Sequence, residues 1–425
     1  MSAVASRAAP APSKPYDHRR NALLLAGDLA LFLTGLAFAS PQTLIPAFAE
    51  RLGAPNVVIG AIPALMGVGW MLPSIFAANH AQGLERKVPF ILRYTVFERV
   101  PYVLLGVAAI WLAPVSPGLT LVLLMAMLAL MTVTGGVLMP AWLDVIGAVV
   151  PANLRGRFFA LANGAGALFG LGGAAAVSYI LDRNGYPVGY GLCFLSGTIF
   201  LGLSYLVLSQ VREPATTVNP ERLPTRDYFR RLPRLLARDR NLTRLVTARA
   251  FAVSGQMASG FYAAYALKEL GASDSQVGVF TSIVLAAQTL GNFGLGWLAD
   301  RHGHRLVLAI GALGNLVGAA AALAAGSVAP LYVSFVGMAT SMAATNVSGM
   351  SIGMDMGPPA ERPTYVAIVN SSTAPFQLIA PLLGGLLADA YGYSAPFGAS
   401  IVLSAIGAAA LLLWVRDPPS RSAAD

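Results

Sequence analysis

Four ionisable side chains stand where lipid would surround them: Asp28 in "LLLAGDLALFL", and Arg93, Glu98 and Arg99 in "VPFILRYTVFERVPYVLLG". At ~1.5 Å of helix rise per residue, Asp28 lies about 10 Å and Arg93 about 8 Å from the start of their apolar segments, and Glu98 and Arg99 about 15 Å. Charge at that depth is costly, so it is paired and marks a functional site by default. Asp28 can pair with Arg93 or Arg99, and Glu98 with either of the same arginines. Two kinds of chemistry fit. Asp28 or Glu98 could take up a proton while an arginine tunes its affinity or holds an anionic group. Alternatively the four charges form a fixed brace between helices.

Other polar residues deep in apolar segments are neutral: Gln256, Gln288, Asn292, Asn346, Asn370 and Gln377, with Tyr262 and Tyr265 nearby. Such groups hydrogen-bond either a solute or a neighbouring helix. The 4 His and the single Cys193 form no catalytic or metal-ligating cluster, so neither an enzyme nor a cofactor is expected. The glycine-rich "NGAGALFGLGG", Asn163 to Gly173, fits neither phosphate-binding motif and reads as close helix packing.

A third cluster, "GWLADRHGHR" from Gly296 to Arg305, separates two strongly apolar runs. Asp300 stands where one helix ends and a tight turn begins, and Gly303 permits the positive φ such a turn uses. A carboxylate there is stabilised by the partial positive charge of a neighbouring helix N-terminus.

These residues need elements to hold them. Of the 425 residues 56% are hydrophobic and only 11% charged, far below the roughly 25% charged of a soluble domain. Twelve apolar runs of about bilayer length follow one another, at 22–48, 57–78, 88–112, 118–141, 158–181, 189–210, 246–267, 275–298, 306–325, 329–352, 365–388 and 395–415. They are continuous, not alternating, so they are helices and not strands of a barrel. The tail ending "DHRR" marks the N-terminus as cytoplasmic, and alternation from there leaves only Arg51, Arg183 and Lys268 on the opposite side. The net charge of +9 is therefore topology, and no domain exists that could hold a nucleic acid. The long first run follows a Pro/Ala tail and lacks a convincing small-residue cleavage site, unlike a signal peptide. Arginine far outnumbers lysine and Ala and Gly are abundant, which points to a GC-rich bacterial genome and an inner (plasma) membrane.

The halves repeat each other. "LGAPNVVIG" (Leu52–Gly60) precedes the second run and "LGASDSQVG" (Leu270–Gly278) the eighth, while Asp182, Gly185 and Tyr186 match Asp389, Gly392 and Tyr393. "VREP" closes the sixth run and "VRDP" the twelfth. Ordered matches of this kind argue duplication of a six-helix unit. The divisions expected are a tail 1–20, a bundle 21–211, a linker 212–244, a bundle 245–415 and a tail 416–425. The linker's Asp227–Arg244 segment can form a basic amphipathic helix on the membrane face or a solvated connector.

"GWLADRHGHR" resembles the loop signature of the major facilitator superfamily, through Gly296, Leu298, Ala299, Asp300, Arg301, Gly303 and Arg305. "PANLRGRFFALAN" and "PPAERPTYVAIVN" are similar to that family's starts of the fifth and eleventh spans. The resemblance implies an all-α polytopic fold of twelve transmembrane helices in two pseudo-symmetric six-helix bundles. It implies a secondary transporter that moves a small solute by alternating access, with protons as a candidate coupling ion. Asp28, Arg93, Glu98, Arg99, Gln256, Tyr262, Tyr265 and Asn346 are the candidate substrate and coupling residues. Gly296, Asp300, Arg301, Gly303 and Arg305 would form a cytoplasmic gate with Arg155, Arg157 and Arg362, in which Asp300 latches onto the start of the fifth span; the same charges could instead only cap helices and fix topology. In the first half the matching position is Gln82 in "NHAQGLERKVP", so the acid is missing there. The partners expected are the solute and the lipid bilayer, without nucleic acid, for a monomeric chain with both termini cytoplasmic. The other function considered is a non-transporting receptor or assembly partner on the same scaffold.

Overall fold

Lipid offers no hydrogen-bond partners, so each apolar run must satisfy its own backbone, and each does so as helix. A computed structural model describes residues 18–151, 154–214, 238–356 and 362–416, without the side chains of Asn79, Gln82, Arg362, Pro363, Thr364 and Ala367. The first six spans are His18–Phe38, Asn56–Gln82, Val88–Tyr94 continued by Val96–Trp111, Pro117–Val149, Arg155–Asn184 and Val188–Leu208. The second six begin with Arg240–Ser254, a 3₁₀ turn Gly255–Phe261 and Tyr262–Lys268, which together make the seventh. Gln276–His302, His304–Leu323, Ala329–Ser348, Arg362–Tyr391 and Ser394–Leu413 complete the set. Short helices Leu44–Arg51 and Ser351–Met356 extend the first and tenth spans.

Nine of these are long and apolar enough to cross a membrane as single helices among the described residues. The other three depart for identifiable reasons. In the third, helix is interrupted at Thr95, although Thr95 N still bonds Ile91 O and Arg99 N still bonds Thr95 O. In the seventh, the Gly255 carbonyl is taken by the Ser400 hydroxyl and the chain tightens into 3₁₀ geometry. The tenth carries Ser334, Thr340, Ser341, Thr345 and Asn346, which lower its hydropathy. The expected amphipathic helix at Asp227–Arg244 lies largely outside the described residues.

Packing repeats with the sequence. In the first half spans 1–5, 1–6, 2–4, 3–4 and 3–6 pack together; in the second, 7–11, 7–12, 8–10, 9–10 and 9–12 do the same. The halves meet where span 2 crosses span 11 and span 5 crosses span 8. Turn geometry repeats too: Gly53 and Gly271, matched in the two halves, have φ of 78° and 66°. The glycine run of the fifth span packs as its composition suggests, since a Cβ at Gly166 would strike Leu33 and one at Gly173 would crowd Phe38.

Candidate functional site

A cavity of about 690 Å³ lies between the two halves. The first half contributes the first span and the loop after it, Met66, and the fifth span; the second half contributes the eighth span with Asn346 and Val347 of the tenth. Its polar lining is mostly carboxamide: Gln42, Asn163, Gln288, Asn292 and Asn346. Gln288 and Asn292, four residues apart, share one face of the eighth span.

The end of the bundle away from the termini is sealed across the halves. Thr43 and Thr281 share a hydroxyl bond of 2.6 Å, and the Arg51 guanidinium meets Asp274 at 2.9 Å. Tyr190 donates to the same Asp274 at 2.8 Å, and Ser178 donates to the Ser275 carbonyl at 2.7 Å. Asp389, at the end of the eleventh span, accepts from the backbone N–H groups of Asn56 and Val57 at 2.8 and 3.0 Å. That carboxylate satisfies free donors at the start of the second span, where the helix dipole favours negative charge. Lys268 stands 3.9 Å from Glu50. These hydrogen bonds and ion pairs join the two halves at this end of the bundle.

Three of the four charges expected at depth come together inside the first half. The Asp28 carboxylate accepts from Ser204 Oγ at 2.6 Å and Trp142 Nε1 at 3.3 Å, with Arg99 Nη2 at 3.7 Å. Arg99 also donates to Ser204 Oγ and the Leu201 carbonyl, and its Nη1 lies 3.7 Å from Glu98 Oε2. Thr95 donates to that same Glu98 oxygen at 3.2 Å. Gly135 leaves room for the Glu98 carboxyl, because a Cβ there would sit 2.9 Å from Oε1. A separate cavity of about 110 Å³ adjoins the cluster. Two carboxyls facing one guanidinium cannot both ionise without leaving a buried charge uncompensated. Arg93 is not part of this group. Six residues from Arg99, it points about 120° away around the helix, and it lies over the Tyr94 ring at the exposed surface.

At the end bearing the termini, the "GWLADRHGHR" turn forms as its residues suggest, with Gly303 at φ 85°. Arg305 ties it to the twelfth span through the Leu412 and Val415 carbonyls at 3.2 and 2.8 Å, and Arg301 stacks 4.2 Å over the Trp297 ring. Asp300 is exposed and makes no ionic or hydrogen-bonded contact with Arg155 or Arg157 in this state. Arg155 instead closes the end of the fourth span by donating to the Gly147 and Val150 carbonyls. Gly296 faces open space, and the side chain of Arg362 lies outside the described residues. The first-half counterpart turns differently: Glu85 stands at the position of Gly303, and no described non-glycine residue has a positive φ, whereas Gly303 has φ 85°.

Of the second-half candidates, only Asn346 lines the cavity. Gln256 donates to Ser341 at 3.2 Å within its own bundle. Tyr262 is buried against Phe335 and Phe397, and Tyr265 donates to the Ala325 carbonyl at 3.3 Å. Positions 256, 262 and 265 spread around even an unbroken helix, so depth alone could not aim all three at one cavity, and the 3₁₀ turn Gly255–Phe261 changes their direction again. Asn163 and Gln42 carry little sequence signal, because one lies in a glycine run and the other in a loop. The four-residue spacing of Gln288 and Asn292 is the signal that marks them as sharing a face.

The Major Facilitator Superfamily sequence profile matches residues 245–425. No curated protein matches the chain. Solved structures superpose over almost all of it: a variant of the nucleoside transporter NupG with TM-score 0.70, at 12% identity, covers 92% of this chain and 98% of its own. A bacterial homologue of the human lysosomal transporter Spinster, inward-facing and occupied, has TM-score 0.65 at 17% identity over 95% of this chain and 97% of its own. A D-xylose–proton symporter has TM-score 0.61 at 16% identity over 94% and 98%. The second half of the chain thus matches the Major Facilitator Superfamily model, and the whole chain shares the fold of these transporters. It is an integral membrane protein with that fold, and its cavity lies where the two halves of the fold meet.

Proposed function

We propose that this protein is a secondary active transporter that moves a small solute by alternating access, with residues 21–211 and 245–415 as the two moving bodies. The observation that carries the reading is the cavity shared by both halves, with a set of cross-half bonds closing one end of it. Positive-inside charge places the other end, with both termini, in the cytoplasm of a bacterial inner membrane, so this state is inward-open. Asp300 then latches onto the start of the fifth span when that side closes. Coupling falls to Asp28, Glu98 and Arg99, because the charge balance of the cluster needs one proton and the first span also lines the cavity.

Uptake by proteoliposomes, with and without an imposed pH gradient, tests the reading. Asp28→Asn is expected to abolish stimulation by the gradient while solute exchange at equal pH continues. Unchanged stimulation removes the cluster from coupling, and no uptake or exchange of any solute removes the transporter reading itself.

A further inference from the structure

No ionisable side chain lines the central cavity among the described residues. The nearest buried charges are committed elsewhere. Asp28, Glu98 and Arg99 border their own small cavity, and Arg249 donates to the Gly349 carbonyl at 2.8 Å. The hydroxyls of the wall are also engaged: Thr281 bonds Val277 and Thr43, Thr289 bonds the Leu285 carbonyl, and Ser40 bonds Gln42. Asn163 gives its amide hydrogen to the Phe159 carbonyl at 2.8 Å and keeps its oxygen free to accept. Asn292 Oδ1 is buried with no partner among the described residues. What remains for an occupant is therefore carboxamide, which both donates and accepts.

A charged solute entering here would lose hydration with no countercharge to replace it. An uncharged one exchanges water bonds for amide bonds, and its carbon skeleton meets the apolar remainder of the wall, including Leu33, Phe159, Leu285 and Phe293. We propose that the cavity takes an uncharged solute carrying hydrogen-bond donors and acceptors on one edge and an apolar face on the other, bonded by the wall carboxamides, Asn292 among them. This rests on the transporter reading and narrows it to a substrate class.

A matched set of probes tests it: nicotinamide, the cation 1-methylnicotinamide and the anion nicotinate share a ring and differ in charge. Titration calorimetry on the full chain in detergent is expected to show nicotinamide binding at least ten-fold more tightly than either ion. Asn292→Ala should weaken nicotinamide about ten-fold, and Asn292→Asp should turn the preference toward the cation, with both variants unfolding near the temperature of the parent. Equal or tighter binding of an ion, or no binding by any of the three, overturns the inference. Counterflow in proteoliposomes separates the two claims. Nicotinamide that binds without counterflow keeps the uncharged-solute class and defeats transport; counterflow of an ion alone does the reverse.

Discussion

Arg99 is the residue on which the first half's buried polar chemistry depends, because Asp28, Glu98, Ser204 and the Leu201 carbonyl all face its guanidinium. Removing one partner from a buried ionic group strands the others at about 3–5 kcal/mol. Arg99→Leu should therefore lower stability on that scale in thermal unfolding, and Asp28→Asn in the same chain should restore part of it. Depth alone left Asp28 to pair with either Arg93 or Arg99, and only the structure, which turns Arg93 to the exposed surface, assigns it to Arg99. The cavity carboxamides were not, because depth says nothing about which way a side chain points around its helix. Tyr262 shows the limit: its polar tip suggested a ligand, yet its ring fills a core between Phe335 and Phe397. Outside the spans, burial raises the Glu50 carboxyl above its ordinary value, opposed first by Lys268 and then by Arg51, with Glu269 adding to the rise. Glu50 in the sealed end thus binds its proton more tightly than a hydrated Glu50 in an open state would. Its contribution to closure is full below the ordinary carboxylate range and is lost as pH rises through the raised value. Electron–electron distances between spin labels at Asn184 and Tyr391 should lengthen over that rise, and Glu50→Gln should flatten the response.

Among elements, the repeats were the most legible feature. "LGAPNVVIG" and "LGASDSQVG" predicted equivalent turns, and Gly53 and Gly271 adopt the same left-handed conformation. The crossings between halves were hidden, because a glycine inside an apolar run does not announce which helix it meets. At Gly385 a Cβ would sit 2.5 Å from the Val57 backbone, and at Gly278 it would sit 2.4 Å from the Ser178 nitrogen. Both lie where a spanning pair must touch for the far end to close. Gly385→Leu should therefore hold that end apart. Ser40→Cys, introduced beside the only native thiol, which is buried, should then react with an impermeant maleimide from the far side. Unchanged reactivity would mean that the crossing is not what limits closure.

For the whole molecule, duplication has been kept in the scaffold and relaxed in the chemistry. The first half encloses two carboxyls and a guanidinium, whereas the second half offers carboxamides and one buried arginine held by a carbonyl. The same asymmetry separates the turn at Gly303 from its counterpart after Gln82. In the proposed cycle Asp300 acts only when the terminal end is shut, so Asp300→Asn should shift the population toward the state described here and slow net uptake. Equal uptake together with equal accessibility of a cysteine at Asn346 would leave Asp300 a capping residue. Twelve spans and two halves could be read from the chain, but the direction in which the halves are tilted could not, since both tilts bury the same apolar runs.

The Arg51–Asp274 contact and the Asp389 carboxylate on Asn56 and Val57 have a consequence for how fast such a protein can turn. Each is a bond that water replaces on separation, and a partly exposed ion pair such as Arg51–Asp274 is worth only about 0–1 kcal/mol. A closure assembled from them fixes the register of the two halves at little thermodynamic depth. It behaves as a catch that the medium itself can release, so the salt content of the outer solution becomes one of the variables that set the resting shape.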